Sequence, residues 1–177
     1  SEPLKIICVA SFRTVKGHNV LLDACTQLRE RGTPFHCRLV GYGPIEQEIR
    51  SRIQILKLEE QVTITGGQPR QEVIRLLGES DLIVLTSIQT AKGNREGIPV
   101  ALMEGVACGL PVVASRLSGI PELVEHGVSG LLFEPGNAAE AATAIQTLAA
   151  DPQLRSRMGR AGRARIEADY DLSINAT

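Results

Sequence analysis

Leu4-Lys5-Ile6-Ile7-Cys8-Val9-Ala10 is an almost wholly apolar run. It is followed by the polar, glycine-ended stretch Ser11–Gly17, a helical pattern over Val20–Arg31, and a second apolar run, Phe35–Gly41. Strands that are apolar on both sides must be covered on both faces, and a helix between two of them reads as a parallel crossover. The same unit recurs outward from this stretch. Further strands are expected at Val62–Thr65, Leu82–Thr86, Leu110–Ala114 and Gly130–Phe133. Helices are expected at Ile45–Leu58, Arg70–Leu77, Pro99–Cys108, Ala138–Ala149 and Pro152–Ala168. The alternation, with right-handed connections, predicts an α/β fold with a doubly wound, mostly parallel, Rossmann-like sheet and helices on both faces. No internal repeat, low-complexity tract or linker interrupts it, so residues 1–177 are read as a single domain.

Composition narrows what such a domain could bind. The 177 residues carry 19 Lys+Arg against 20 Asp+Glu, a formal net charge of -1, which excludes a polybasic nucleic-acid module as the default. Three Phe, two Tyr and no Trp leave little material for stacking platforms. A ligand is therefore expected to be held by backbone amides, charges and aliphatic walls. The cysteines, Cys8, Cys25, Cys37 and Cys108, are dispersed with no C-x-x-C pair, and read as small hydrophobes in a reducing, cytoplasmic setting. No signal peptide and no long apolar span is visible, so any membrane contact is expected to be peripheral.

Ligands of open parallel sheets bind beyond the carboxyl ends of the strands, where strand order reverses. For the order 3-2-1-4-5-6, that point lies between strands 1 and 4. The loops there, Ser11–Gly17 and Ser87–Gly97, hold Arg13, Lys16, Lys92, Arg95 and Glu96. A basic crevice with one carboxylate suits a phosphorylated ligand. Lys16 beside Gly17 at a helix start is well placed for phosphate, although a plain surface lysine has the same pattern. Gly41-Tyr42-Gly43-Pro44 resembles the opening of G-x-G-x-x-G, but Glu46 replaces the third glycine and the loop follows strand 2. Close backbone approach to a ligand and a simple tight turn are both compatible with it.

Glu96 and Glu104 stand eight residues apart, and Glu104 is the only charged residue between Gly97 and Leu110. An isolated carboxylate in an apolar helix must be neutralised, paired or turned toward a polar cavity. Eight helical residues span about 12 Å, enough for two carboxylates to touch opposite ends of an extended ligand. Asp169-Tyr170-Asp171 has the form of a metal pair but lies in the tail, so no metal site is expected. Arg155, Arg157, Arg160, Arg163 and Arg165 point around the whole helix at 100° per residue, as on a solvated element.

The run Glu96-Gly-Ile-Pro-Val-Ala-Leu-Met-Glu104-Gly-Val-Ala-Cys-Gly-Leu-Pro-Val-Val-Ala-Ser115 resembles the donor-site signature of group 1 glycosyltransferases, retaining enzymes of the two-domain GT-B architecture. Lys16-Gly17-His, Gly41-Tyr-Gly43, Val62-Thr-Ile-Thr-Gly66, Asp81-Leu-Ile-Val-Leu-Thr-Ser87 and Ser118-Gly119-Ile-Pro-Glu122 follow in the family's order. The resemblance implies that Lys16 binds the donor diphosphate and Glu104 the ribose hydroxyls. It puts Glu96 and the Gly97-Ile98 amides near the transferred sugar, and Thr65-Gly66 beside the base. The family pairs that lysine with an arginine five residues earlier, where this chain has Ser11; Arg13 is the candidate replacement. The substrate implied is a nucleotide-diphosphate sugar (UDP- or GDP-linked), with no metal or other cofactor required. The acceptor, a glycan or lipid hydroxyl, would be held by an N-terminal domain outside this chain, which alone would be inactive. A sugar-nucleotide epimerase or phosphorylase, and a non-enzymatic receiver-like module, are the alternatives on the same architecture.

Overall fold

The structure, a computed structural model, describes residues 2–89 and 99–175, with side chains described to Asp169. Six strands form one sheet: β1 (Leu4–Val9), β2 (Phe35–Val40), β3 (Val62–Gly66), β4 (Leu82–Leu85), β5 (Val112–Ser115) and β6 (Gly130–Phe133). Their order is β3-β2-β1-β4-β5-β6, and every neighbouring pair is parallel. The connecting helices are α1 (His18–Glu30), α2 (Glu46–Ile55), α3 (Arg70–Gly78), α4 (Val100–Ala107), α5 (Ile120–Leu123), α6 (Ala138–Ala149) and α7 (Pro152–Asn175).

Successive strand residues face opposite sides of a sheet, and here both sides are apolar. Ile6, Cys8, Cys37, Leu39, Leu82, Val84 and Val113 pack on one face with Leu21, Leu22, Cys25 and Leu28 of α1, Ile49 and Ile53 of α2, and Ile145 and Leu148 of α6. Ile7, Val40, Ile83, Leu85, Val112 and Ala114 pack on the other with Val73, Leu76 and Leu77 of α3 and Leu102 and Val106 of α4. The alternation Ile6/Ile7 and Leu82/Ile83 therefore fills two cores from one strand each. A long, closing α7 serves both, Leu154 and Met158 joining the first and Ile166 the second.

Two elements differ from the sequence reading. The helix expected to stop at Ala168 continues to Asn175, because nothing after Gly162 carries a proline or glycine to end it. A short helix, α5, occupies Ile120–Leu123 with Pro121 in its first turn and buries Ile120 and Leu123. Strand ends also fall a residue or two away from the apolar runs: Ala10, Gly41, Thr86 and Leu110 lie in the flanking loops.

Cys8, Cys25 and Cys37 are buried free thiols and Cys108 is exposed. No helix among the described residues is long and apolar enough to cross a membrane.

Candidate functional site

The reversal in strand order lies between β1 and β4, and the loops leaving their carboxyl ends are locked together. Gly17 ends a single 3-10 turn (Thr14–Lys16) with φ 68°, and a Cβ there would sit 1.9 Å from the Thr86 carbonyl oxygen. The Thr86 hydroxyl donates to the Gly17 carbonyl at 2.8 Å, and Ile88 N–H donates to Val15 O at 3.0 Å. Only glycine fits this left-handed close approach. It fixes Lys16, the last residue of the turn, over the end of β4.

The loops after β1, β2 and β3 are joined in the same way. Phe12 N–H donates to Tyr42 O at 2.9 Å, Ile45 N–H to Phe12 O at 3.2 Å and Gly41 N–H to Gly66 O at 3.1 Å. A Cβ at Gly41 would lie 2.1 Å from Ala10 O, so the glycine of this loop serves backbone-to-backbone contact within the protein.

These loops enclose a cleft of about 560 Å³, lined by Ser11, Arg13 and Lys16 from the first loop, Gly41–Pro44 from the second, Gly67 and Gln68 from the third, and Val100 and Ala101 of α4. Lys16 also borders a smaller hollow of about 30 Å³ on its other side, formed with Ser87, Gln89, Pro99, Ser118 and Gly119. α4 begins at Val100 after Pro99, with no side-chain cap and no acid in its first turn among the described residues, and this helix start faces the cleft through Val100 and Ala101. Hollows at the opposite, amino-terminal edge of the sheet, one of about 860 Å³ around Lys5, His36 and Arg38, lie at the end where parallel sheets do not place ligand sites.

Of the residues singled out from sequence, Lys16, Arg13, Gly41 and Gly43 line the cleft together. Ser11 lines it too, so the loop offers one lysine and one arginine. Thr65 and Gly66 sit just behind the lining, at a β-bulge that pairs Val40 with Gly66 and leaves Thr65 over. The Thr65 carbonyl accepts from Gln68 Nε2 at 2.8 Å. Glu104 stands on α4 one turn beyond Val100 and Ala101, outside the cleft lining, and pairs with Arg70 at the start of α3 at 3.1 Å. Glu96, Gly97 and Ile98, with Lys92 and Arg95, lie outside the described residues.

His18, the first residue of α1, is buried directly beneath this loop. Its ring meets Phe12 edge-on at 4.9 Å, and neither ring nitrogen has a hydrogen-bond partner among the described residues. Burial, and then the nearby Lys16 charge, push its pKa down to about 4, so the ring is neutral at neutral pH. Sequence reading gave His18 no role, and it also passed over Tyr42, Gln68 and the Val100–Ala101 turn. The only available signal for Tyr42 was its place between two glycines.

The chain matches the family model for glycosyl transferases group 1 over residues 1–165. It belongs to the group 1 glycosyltransferases. This glycosyltransferase domain is 40% identical over 173 residues to the amylovoran biosynthesis glycosyltransferase AmsK of Erwinia amylovora, covering 98% of the chain and 42% of AmsK. It is 42% identical over 178 residues to a putative colanic acid biosynthesis glycosyltransferase, WcaL, of Escherichia coli K12, covering 98% and 43%. The domain thus spans about two fifths of the length of the curated relatives it matches. Among solved structures, Anabaena Alr3699/HepE in complex with UDP superposes with a TM-score of 0.81 at 26% identity, over 99% of this chain and 50% of that one.

Proposed function

We propose that this glycosyltransferase domain is the donor-binding, C-terminal half of a retaining GT-B enzyme. The whole enzyme moves a sugar from a nucleotide-diphosphate sugar to a glycan or lipid hydroxyl. The observation that carries this is the convergence of Lys16, Arg13 and the uncapped start of α4 on one cleft, at the reversal of strand order. Two cations and a helix start form an anion site of the kind a diphosphate needs. The likeness to HepE, solved with UDP, supports a nucleoside diphosphate as the ligand.

In the reaction, the anomeric C–O bond to the diphosphate breaks through an oxocarbenium-like transition state, and the electron pair stays on the departing phosphate oxygen. The acceptor oxygen bonds the anomeric carbon from the same face, and its proton passes to that phosphate oxygen. Lys16 and Arg13 act where that negative charge grows. Glu104, one turn along α4, is assigned to the ribose hydroxyls. Glu96 and the Gly97-Ile98 amides are assigned to the sugar, and Thr65-Gly66 to the base edge. The acceptor is held by the other domain, so the chain alone binds donor without turning it over.

Calorimetric titration with UDP, GDP and pyrophosphate tests the reading. A charge-assisted contact contributes ~1.5–3 kcal/mol, so Lys16→Ala should weaken diphosphate binding roughly 10- to 150-fold. Unchanged affinity removes Lys16 from the site, and no binding by the unaltered chain refutes the proposal.

A further inference from the structure

Among the described residues Tyr42 is the one aromatic side chain in the cleft lining, and it is 73% exposed. Its backbone is pinned by the Phe12 N–H bond to its carbonyl, and its chain neighbours, Gly41 and Gly43, carry no side chains. The Cδ1–Cε1 edge of the ring abuts Gly67 of the β3 loop. A Cβ on Gly67 would come within 2.5 Å of a ring carbon, so a glycine at this position makes the seat the ring rests on. Arg13 and Lys16 occupy the same cleft.

An exposed aromatic plane held in place, with cations in the same hollow, matches the two halves of a nucleotide. The cations suit the diphosphate, and the plane suits a base. We propose that Tyr42 is the base platform of the donor site, its exposed ring face stacking on the nucleobase while Gly67, which has no side chain, gives the ring's edge room to sit against the β3 loop. This rests on the donor-site reading above, and it departs from the expectation that so few aromatics leave little material for a stacking platform. The plane accepts any base, so edge recognition falls to the β3 loop, to the Thr65-Gly66 segment already assigned to it together with the Gln68 amide that Thr65 O holds through its nitrogen.

The test compares UDP with pyrophosphate on the wild-type chain, Tyr42→Ala and Tyr42→Phe. Stacking losses on alanine substitution predict that Tyr42→Ala binds UDP about 5- to 150-fold more weakly and pyrophosphate unchanged. Tyr42→Phe, which keeps the plane, should bind both like the wild type. Tyrosine emission gives an independent readout, since the chain has no Trp and only one other tyrosine, Tyr170. UDP should quench it in the wild type and not in Tyr42→Phe, and pyrophosphate should quench neither. Equal loss of UDP and pyrophosphate in Tyr42→Ala, or no loss of UDP, overturns the platform while the donor-site reading stands. A wild-type chain that binds neither ligand refutes the donor-site reading and takes the platform with it.

Discussion

Acidification should loosen the fold through His18 at the root of the cleft. The unfolded ring titrates near 6.5, whereas in the native state burial and the Lys16 charge hold it at about 4. The positive end of α1, of which His18 is the first residue, acts in the same direction. Because the folded value is depressed, the unfolded chain binds one more proton throughout that window, and stability rises with pH there. The native advantage is complete above pH 6.5 and is lost as pH falls toward 4. The slope is about 1.4 kcal/mol per pH unit, which comes to about 2 kcal/mol at pH 5. His36 shifts in the same direction for similar reasons, burial first and the Arg38 charge second, so total acid sensitivity does not isolate His18. The comparison with His18→Phe does, since that ring keeps the edge-on packing against Phe12 and cannot titrate. Urea denaturation at pH 7 and pH 5 should show the wild type losing about 2 kcal/mol more than the variant. Proton NMR of the imidazole gives the midpoint directly, without relying on the variant. Parallel losses in the two proteins, or a midpoint near 6.5, would refute the reasoning.

The close approach at Gly17 predicts that Gly17→Ala costs about 2–4 kcal/mol, from left-handed backbone strain and the displaced Thr86 bond. Gly136, with φ 84° and open space around it, bears only the backbone part, so Gly136→Ala should cost about 1–2 kcal/mol by the same denaturation assay. Equal costs would mean that the β1–β4 loop contact contributes nothing. Glu104→Gln should weaken UDP binding about 10-fold and leave pyrophosphate binding unchanged, because the carboxylate is assigned to the ribose; equal losses contradict that role. Arg70→Ala should alter thermal stability by less than about 1 kcal/mol, since Arg70 is 78% exposed.

How much of this was legible depended on whether a feature is local. The strands are short runs apolar on both faces, such as Leu82–Leu85, and the requirement to cover both faces leads to the parallel sheet, while its order matches the common arrangement of such sheets. Lys16 was found because a lysine beside a glycine before a helix is a local pattern. The four-residue α5 left no periodicity to read, and the single 3-10 turn before Gly17 is shorter than any amphipathic repeat. The side-chain partners are tertiary facts. Arg70 reaches Glu104 from a different helix, and Tyr42 rests on Gly67 from a different loop. Neither spacing could reveal that. The reasoning that an isolated carboxylate in an apolar helix needs a partner did hold for Glu104, and the partner it found is an exposed arginine on α3.

That partner marks off the rigid lining of the cleft from a neighbouring contact that is free to adjust. On the β1, β2 and β3 side, each loop is held by backbone hydrogen bonds and by glycines that admit no Cβ, and each such bond contributes about 1 kcal/mol. Breaking several at once would cost more than a ligand contact returns. On the α3–α4 side, the Arg70–Glu104 pair is exposed at one end and contributes about 0–1 kcal/mol. A ribose that offers Glu104 two hydroxyls can displace Arg70 at small cost. On the proposed donor site, the cleft loops are therefore set before ligand arrives, and Glu104 is the group that would change partner. Affinity for pyrophosphate should for that reason be insensitive to Arg70, while nucleotide affinity should respond to it.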